Sequence, residues 1–237
     1  RHVFRPSHAD AAYTMKYGIR DHRGGGRSSA RETATWVIAG SMVRQWLASE
    51  GISIQAYVSA IGDIRLENEP ATPDPDGILA SEVACPDPST SLRMLSLLED
   101  LRKEGDTAGG VITGQITGLP LGLGEPVFRK FHATLGQAML SINACKGFEI
   151  GEGFRAASMR GSQHNDPISG LSDEGSIHTL TNHAGGVLGG ITNGMPVIFR
   201  AAFKPVASIR REQRSITRDG SPAQLEIRGR HDVCVVP

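Results

Sequence analysis

Several things this chain lacks narrow its reading. It has three cysteines in 237 residues, Cys85, Cys145 and Cys234, scattered and without C-x-x-C spacing. That excludes a disulfide framework and a cysteine-based structural zinc site, and it suits a reducing, cytoplasmic setting. The formal net charge is zero, which removes electrostatic support for a general nucleic-acid or membrane-surface role. No apolar run approaches membrane-spanning length, and no signal peptide, internal repeat or low-complexity tract is visible. The chain also opens without an initiator Met, inside a motif-like block, which predicts a piece of a longer protein.

What is present is unevenly placed. Residues 1–50 carry eight Lys/Arg against four Asp/Glu, and residues 200–232 repeat that ratio, while residues 60–106 hold four basic and eleven acidic residues. If the two basic stretches meet in space, they build an anion pocket inside a neutral protein. A solvated basic face accounts for the same charges.

Residues 20–32 concentrate that charge: R-D-H-R-G-G-G-R-S-S-A-R-E. Gly24, Gly25 and Gly26 permit a sharp bend and close approach to a ligand. Ser29 and Glu32 have capping-box spacing, which predicts a helix from about Ala30 whose N-terminus, with Arg23, Arg27 and Arg31, favours an anion such as phosphate. The same pattern also serves as a plain turn. No G-K-[ST] follows, so this is not a Walker loop, and the residues before it are too polar for a dinucleotide-binding strand.

Elsewhere, helical spacing predicts helices over 30–50, 90–104 and 128–142, alternation predicts strands over 52–58 and 111–117, and 197–203 is strand-like. Further strand-like stretches are 147–153, 184–190 and 225–227. Residues 68–90, acidic and rich in proline, read as a surface excursion, and 155–182 as a long loop. Helices and strands mix without regular βαβ alternation, so a single α+β domain over 1–237 is expected.

Candidate chemistry is spread along the chain. His8, in R-P-S-H-A-D, has the commonest acid–base side chain but also reads as a packing residue. Asp232, between arginines in R-G-R-H-D, is a base or a salt-bridge partner. Four glycines in N-H-A-G-G-V-L-G-G (182–190) imply close approach to a flat ligand or to another backbone. Lys204-Pro205-Val206-Ala207-Ser208 offers an amine and a hydroxyl to a phosphate. No metal site is implied.

In series, R-P-S-H-A-D, K-Y-G-I-R-D, R-G-G-G-R-S-S-A-R-E-T, G-L-G-E-P-V-F, S-I-N-A-C-K-G-F-E-I-G, N-H-A-G-G-V-L-G-G-I and G-R-H-D resemble the chorismate synthase family from the first residue to the last. The resemblance implies a homotetrameric lyase with a β-α-β sandwich fold. It implies conversion of 5-enolpyruvylshikimate 3-phosphate to chorismate and phosphate, an anti-1,4-elimination in the shikimate pathway of aromatic amino acid biosynthesis. It also implies a requirement for reduced FMN, with NADPH as a possible reductant. By similarity Arg27, Ser28, Ser29, Asn143, Ala144, Gly189, Lys204, Pro205, Val206, Ala207, Ser208 and Arg230 contact FMN. Arg5, Arg31 and Arg230 hold the substrate's anions, His8 manages charge beside the flavin, and Asp232 acts in removing the C6 proton. The family's N-terminal region, with a further histidine block, and its C-terminal tail have no counterpart here. Within the chain, Trp36 stands where an arginine is usual, Val206-Ala207 where Thr-Ser is usual, and Val233 where proline is usual. A divergent, non-catalytic FMN- or anion-binding homologue is the alternative, and an interaction protein without a ligand site is a further one.

Overall fold

The computed structural model describes residues 2–23, 25–172, 177–227 and 232–236. Local sequence sets where its elements start and stop. Helix α1 (Asp10–Tyr17) ends at Gly18, which takes the left-handed conformation that closes a helix. Two short 3-10 turns, Gly26–Ser28 and Ala30–Glu32, lead into α2 (Thr33–Ser49). Strand β1 (Ser53–Ile61) turns back as β2 (Ile64–Arg65). Then come α3 (Pro75–Ala80) and α4 (Pro88–Glu104), each with an aspartate, Asp74 or Asp87, accepting N-terminal amide hydrogens and a proline in the first turn. Strand β3 (Gly110–Thr117), α5 (Phe131–Leu140), β4 (Cys145–Ile150) and α6 (Gly161–His164) follow. The remaining strands are β5 (Ile168–Leu171), β6 (Ile177–Thr179), β7 (Val187–Leu188), β8 (Ile191–Thr192), β9 (Val197–Phe203), β10 (Gln213–Ile216) and β11 (Pro222–Leu225).

The main sheet has the order β2-β1-β3-β9-β4, and every neighbouring pair is antiparallel. With helices packed on it rather than crossing between parallel strands, this is the expected α+β class. Period-2 alternation fixes the two faces. Ile54, Ile116 and Val197 pair across the sheet, as do Val58, Ile112, Ala201 and Phe148, and this side carries the apolar packing against α4 and α5. Gly114 lies between Ala56 and Phe199 in the register, and a Cβ there would stand 2.2 Å from the Phe199 ring. Its missing side chain is the space the phenylalanine fills.

The opposite face carries Tyr57, Thr113, Arg200 and Glu149 in register. Glu69 reaches it from the connection after β2. Arg200 donates to Glu69 from Nε at 2.8 Å and from Nη2 at 2.5 Å, and Nη1 donates to the Gly151 carbonyl at 2.7 Å. Residues 68–90 are therefore a cover, not a surface excursion: Pro73, Val83 and Cys85 are buried, and the Gln115 amide donates to the Ala71 carbonyl at 2.8 Å.

The long-loop reading of 155–182 is also corrected, since it contains α6 and the β5–β6 hairpin. Asp166 ties this segment down, accepting from the Thr181 hydroxyl at 2.6 Å and from the amides of His183 and Ala184 at 2.8 and 2.9 Å. At 184–190 the chain forms tight turns around the short β7–β8 hairpin. A Cβ on Gly185 would stand 2.3 Å from the Gly151 nitrogen, so at this position the close approach is to another backbone. Among the described residues no helix is long and apolar enough to cross a membrane.

Candidate active site

The two basic stretches meet. Val3 bridges Thr217, the Phe4 amide donates to the Ile216 carbonyl at 3.0 Å, and the Arg218 amide donates to the His2 carbonyl at 2.8 Å. Lys204 Nζ donates to the Ser7 carbonyl at 3.1 Å, and His8 Nε2 lies 3.0 Å from Ser208 Oγ. R-P-S-H-A-D and K-P-V-A-S, about 200 residues apart in the chain, thus form one wall.

Asp10 is the hub of the N-terminal block. It is buried, and it accepts from Arg5 through the backbone amide at 3.2 Å and through Nε and Nη2 at 2.9 Å each, while Arg20 pairs with it from the other side. Burial alone would raise its pKa. The Arg5 hydrogen bonds and the two arginine charges outweigh that and hold the carboxyl at about 2. Arg20 is braced in turn: it donates from Nη2 to the Val3 carbonyl at 3.0 Å and lies over the Phe4 ring.

Arg5, His8, Arg23, Ser28, Ser29 and Arg31 line a cleft of about 380 Å³. The lining is polar and mostly cationic, with Asp10 as its acidic member. Its local geometry departs from the capping-box expectation, however. The Ser29 side chain accepts from the Arg31 amide at 3.3 Å, and Glu32 turns away to pair with Arg27 at 2.5 Å. The regular helix therefore begins at Thr33, and Arg27, one of the cations expected to favour an anion, pairs with Glu32. Full charges in reach outweigh a neutral amide as partner for a carboxylate. Gly24 lies outside the described residues.

A second cleft, of about 550 Å³, is lined by Arg102, Asp106, Ser208, Arg210 and Asp232 among others. Asp232 is exposed at its rim. The chain just beyond it is anchored, because the Val233 carbonyl accepts from the Ala108 amide at 2.9 Å and Cys234 and Val236 are buried in the core. Ser208 lines this cleft and touches His8 in the first, so it joins the two. Arg230 lies outside the described residues.

The other expected contacts divide. Ala144, in the turn between α5 and β4 with Asn143, accepts from the Lys204 amide at 3.0 Å, which brings those two segments together. Burial, with Lys146 nearby, pushes the Lys204 amine down. The Val206 carbonyl is taken by the Thr107 hydroxyl at 2.7 Å. Gly189 sits in the β7–β8 turn and lines neither cleft. Sequence reasoning missed Asp10 as the organiser of Arg5. The available signal was Asp10, one of two acidic side chains among five Lys/Arg between Arg1 and Arg23, on a helix too short to show periodicity.

The chorismate synthase family model matches residues 1–237. The chain is 52% identical over 237 residues to the chorismate synthase of Bacteroides thetaiotaomicron, covering all of this chain and 66% of that protein. It is 48% identical over 238 residues to that of Opitutus terrae, covering 65% of it. It thus spans just under two thirds of these relatives' length. Among solved structures, a crystal structure of chorismate synthase superposes with a TM-score of 0.76 at 34% identity, over 84% of this chain and 63% of that one. The agreement runs through sequence and fold alike, and it covers both basic stretches that build the clefts: this chain belongs to the chorismate synthase family.

Proposed function

We propose that the chain carries the flavin and substrate-anion part of a chorismate synthase site, serving the conversion of 5-enolpyruvylshikimate 3-phosphate to chorismate and phosphate in the cytoplasm. The observation that carries this reading is the 3.0 Å contact between His8 and Ser208, which joins the R-P-S-H-A-D and K-P-V-A-S motifs into one cationic wall. The groups on and beside this wall suit a flavin phosphate: the Lys204 amine, bonded to the Ser7 carbonyl, and the Ser29 hydroxyl of the first cleft, with the Ala144 turn bonded alongside. Arg27, Ser28, Ser29, Asn143, Ala144, Gly189, Lys204–Ser208 and Arg230 would hold reduced FMN, with NADPH as its source of electrons. When bound, that group supplies electron density that favours loss of the substrate's allylic phosphate.

The protein's own part is binding and proton management. Arg5 and Arg31 face the substrate's anionic groups, and Asp10 keeps the Arg5 fork in place so that little order must be gained on binding. Burial pushes the His8 pKa down, and Arg5 and Lys204 push the same way against the Pro6 carbonyl and Asp10. His8 therefore meets the site uncharged near neutrality and is free to take a proton. The exposed Asp232 carboxylate, at the rim of the neighbouring cleft, accepts the C6 proton at one of its oxygens. The assembly is a homotetramer in this reading.

Anaerobic titration of the chain with reduced FMN and the substrate tests it. We expect saturable binding and a rise in Tm with ligand concentration, with formation of chorismate in the protein completed to its relatives' length. In Asp232→Asn, substrate binding survives while turnover falls by roughly 10²-fold or more. Absence of flavin-dependent stabilisation would overturn the reading; flavin binding without turnover would leave the non-catalytic homologue.

A further inference from the structure

The His8 ring is held at both nitrogens. Nδ1 lies 3.0 Å from the Pro6 carbonyl oxygen, and Nε2 lies 3.0 Å from Ser208 Oγ. A carbonyl oxygen only accepts, so the first contact is a hydrogen bond only if Nδ1 carries the hydrogen. In the neutral ring the lone pair is then on Nε2, and the serine hydroxyl must donate into it. The residue ahead of the histidine supports this setting, since Ser7 adopts φ 57°, rarely taken by a non-glycine residue, and its carbonyl is fixed by Lys204 Nζ. Both ring contacts are therefore built by backbone and side chains that are themselves restrained.

We propose that the Pro6 carbonyl and the Ser208 hydroxyl lock neutral His8 as the Nδ1–H tautomer, making Ser208 a positioning residue whose hydroxyl reverses direction when the histidine gains a proton. With His8 neutral, Ser208 gives its hydrogen to Nε2 and presents only oxygen lone pairs to the cleft. With His8 charged, Nε2–H donates to Oγ, and the serine hydrogen turns outward to a ligand oxygen. The pair thus works as a two-step relay. The O–H of a monoprotonated phosphate ester breaks as a new Oγ–H forms, while the old Oγ–H breaks as Nε2–H forms, so one proton passes from the phosphate to the histidine, the phosphate is left as its dianion and the serine is unchanged. The charges facing the ring are Arg5 and Asp10 from the N-terminal block and Lys204 from the strand side. None of them reaches Nε2 at hydrogen-bonding distance, so the hydroxyl is its partner among the described contacts. This assignment builds on the reading of His8 as the acid–base group of the site.

Nitrogen-15 NMR of the His8 ring tests the assignment without turnover. At a pH above the His8 titration, we expect the hydrogen on Nδ1 and a hydrogen-bonded resonance at Nε2. In Ser208→Ala the Nδ1 hydrogen stays and the Nε2 resonance moves to that of an unbonded nitrogen, and Ser208→Thr restores it. In active protein, Ser208→Ala lowers kcat roughly tenfold to a hundredfold and shifts the acidic limb of the pH profile, with KM for the substrate little changed. A wild-type ring with its hydrogen on Nε2 would overturn the proposal, as would an Nε2 resonance that ignores the loss of the hydroxyl. If the tautomer is as stated but no flavin binds, the pair stands and the functional reading fails.

Discussion

Helices α2 and α4 are both 17 residues long, and the more apolar of them is the one that is not packed. Helix α4 carries six charged residues yet buries Met94 and Leu98 against the sheet, with Asp87 at its start and Gly105 at its end. Helix α2 carries one, Arg44, and none of its residues is buried: Trp36, Val37, Ile38, Met42, Val43 and Trp46 all face outward. Its apolar residues surround the axis, whereas those of α4 form a single stripe. A stripe is satisfied by one sheet; a helix that is apolar all round needs neighbours on several sides. Apolar content alone thus says how much cover a helix wants, and its angular distribution says from how many directions.

The comparison predicts an ordered series of effects on unfolding in denaturant. Met94→Ala, at a site with no exposed surface, costs about 2–5 kcal/mol. Asp10 supplies a pH-dependent case, since α1 is pinned by an ion pair instead of an apolar stripe. Its carboxyl titrates at about 2 in the fold and near 3.8 when free. The native state then gains about 2 kcal/mol from it above pH 4, lost as the pH falls through 2, and Asp10→Asn should remove that acid limb. Gly114→Ala drives a methyl into the Phe199 ring and costs about 1–3 kcal/mol. Trp46→Ala, at 61% exposure, changes the stability of this chain by no more than about 0.5 kcal/mol. A loss above 2 kcal/mol for Trp46→Ala would break the comparison, because α2 would then be covered in solution.

The sequence was legible wherever neighbours along the chain decide the outcome. The periodicity of α4, its stop at Gly105, the alternation in β3 and the strand-like stretch that forms β9 all survive in the fold. It was misleading where a distant partner decides. Residues 68–90 look like a surface excursion until Glu69 meets Arg200, 131 positions away. Glu32 fits a capping box until Arg27 offers a full charge. The site shows the same division: the resemblance pointed to His8 and Ser208, but only the fold makes them partners, and only burial shows that Asp10 governs Arg5.

The contact between residues 2–8 and 204–218 also governs when the cleft comes into being. Each of its hydrogen bonds closes a loop of about 200 residues, among the longest this chain can form. Local elements such as α4 assemble first, because closing a long loop costs entropy before any contact rewards it. On a ribosome, His8 emerges about 200 residues ahead of Ser208 and waits for it while those between are made. A folding intermediate with an intact sheet therefore has no site, and recovery of ligand binding should lag recovery of helical structure during refolding.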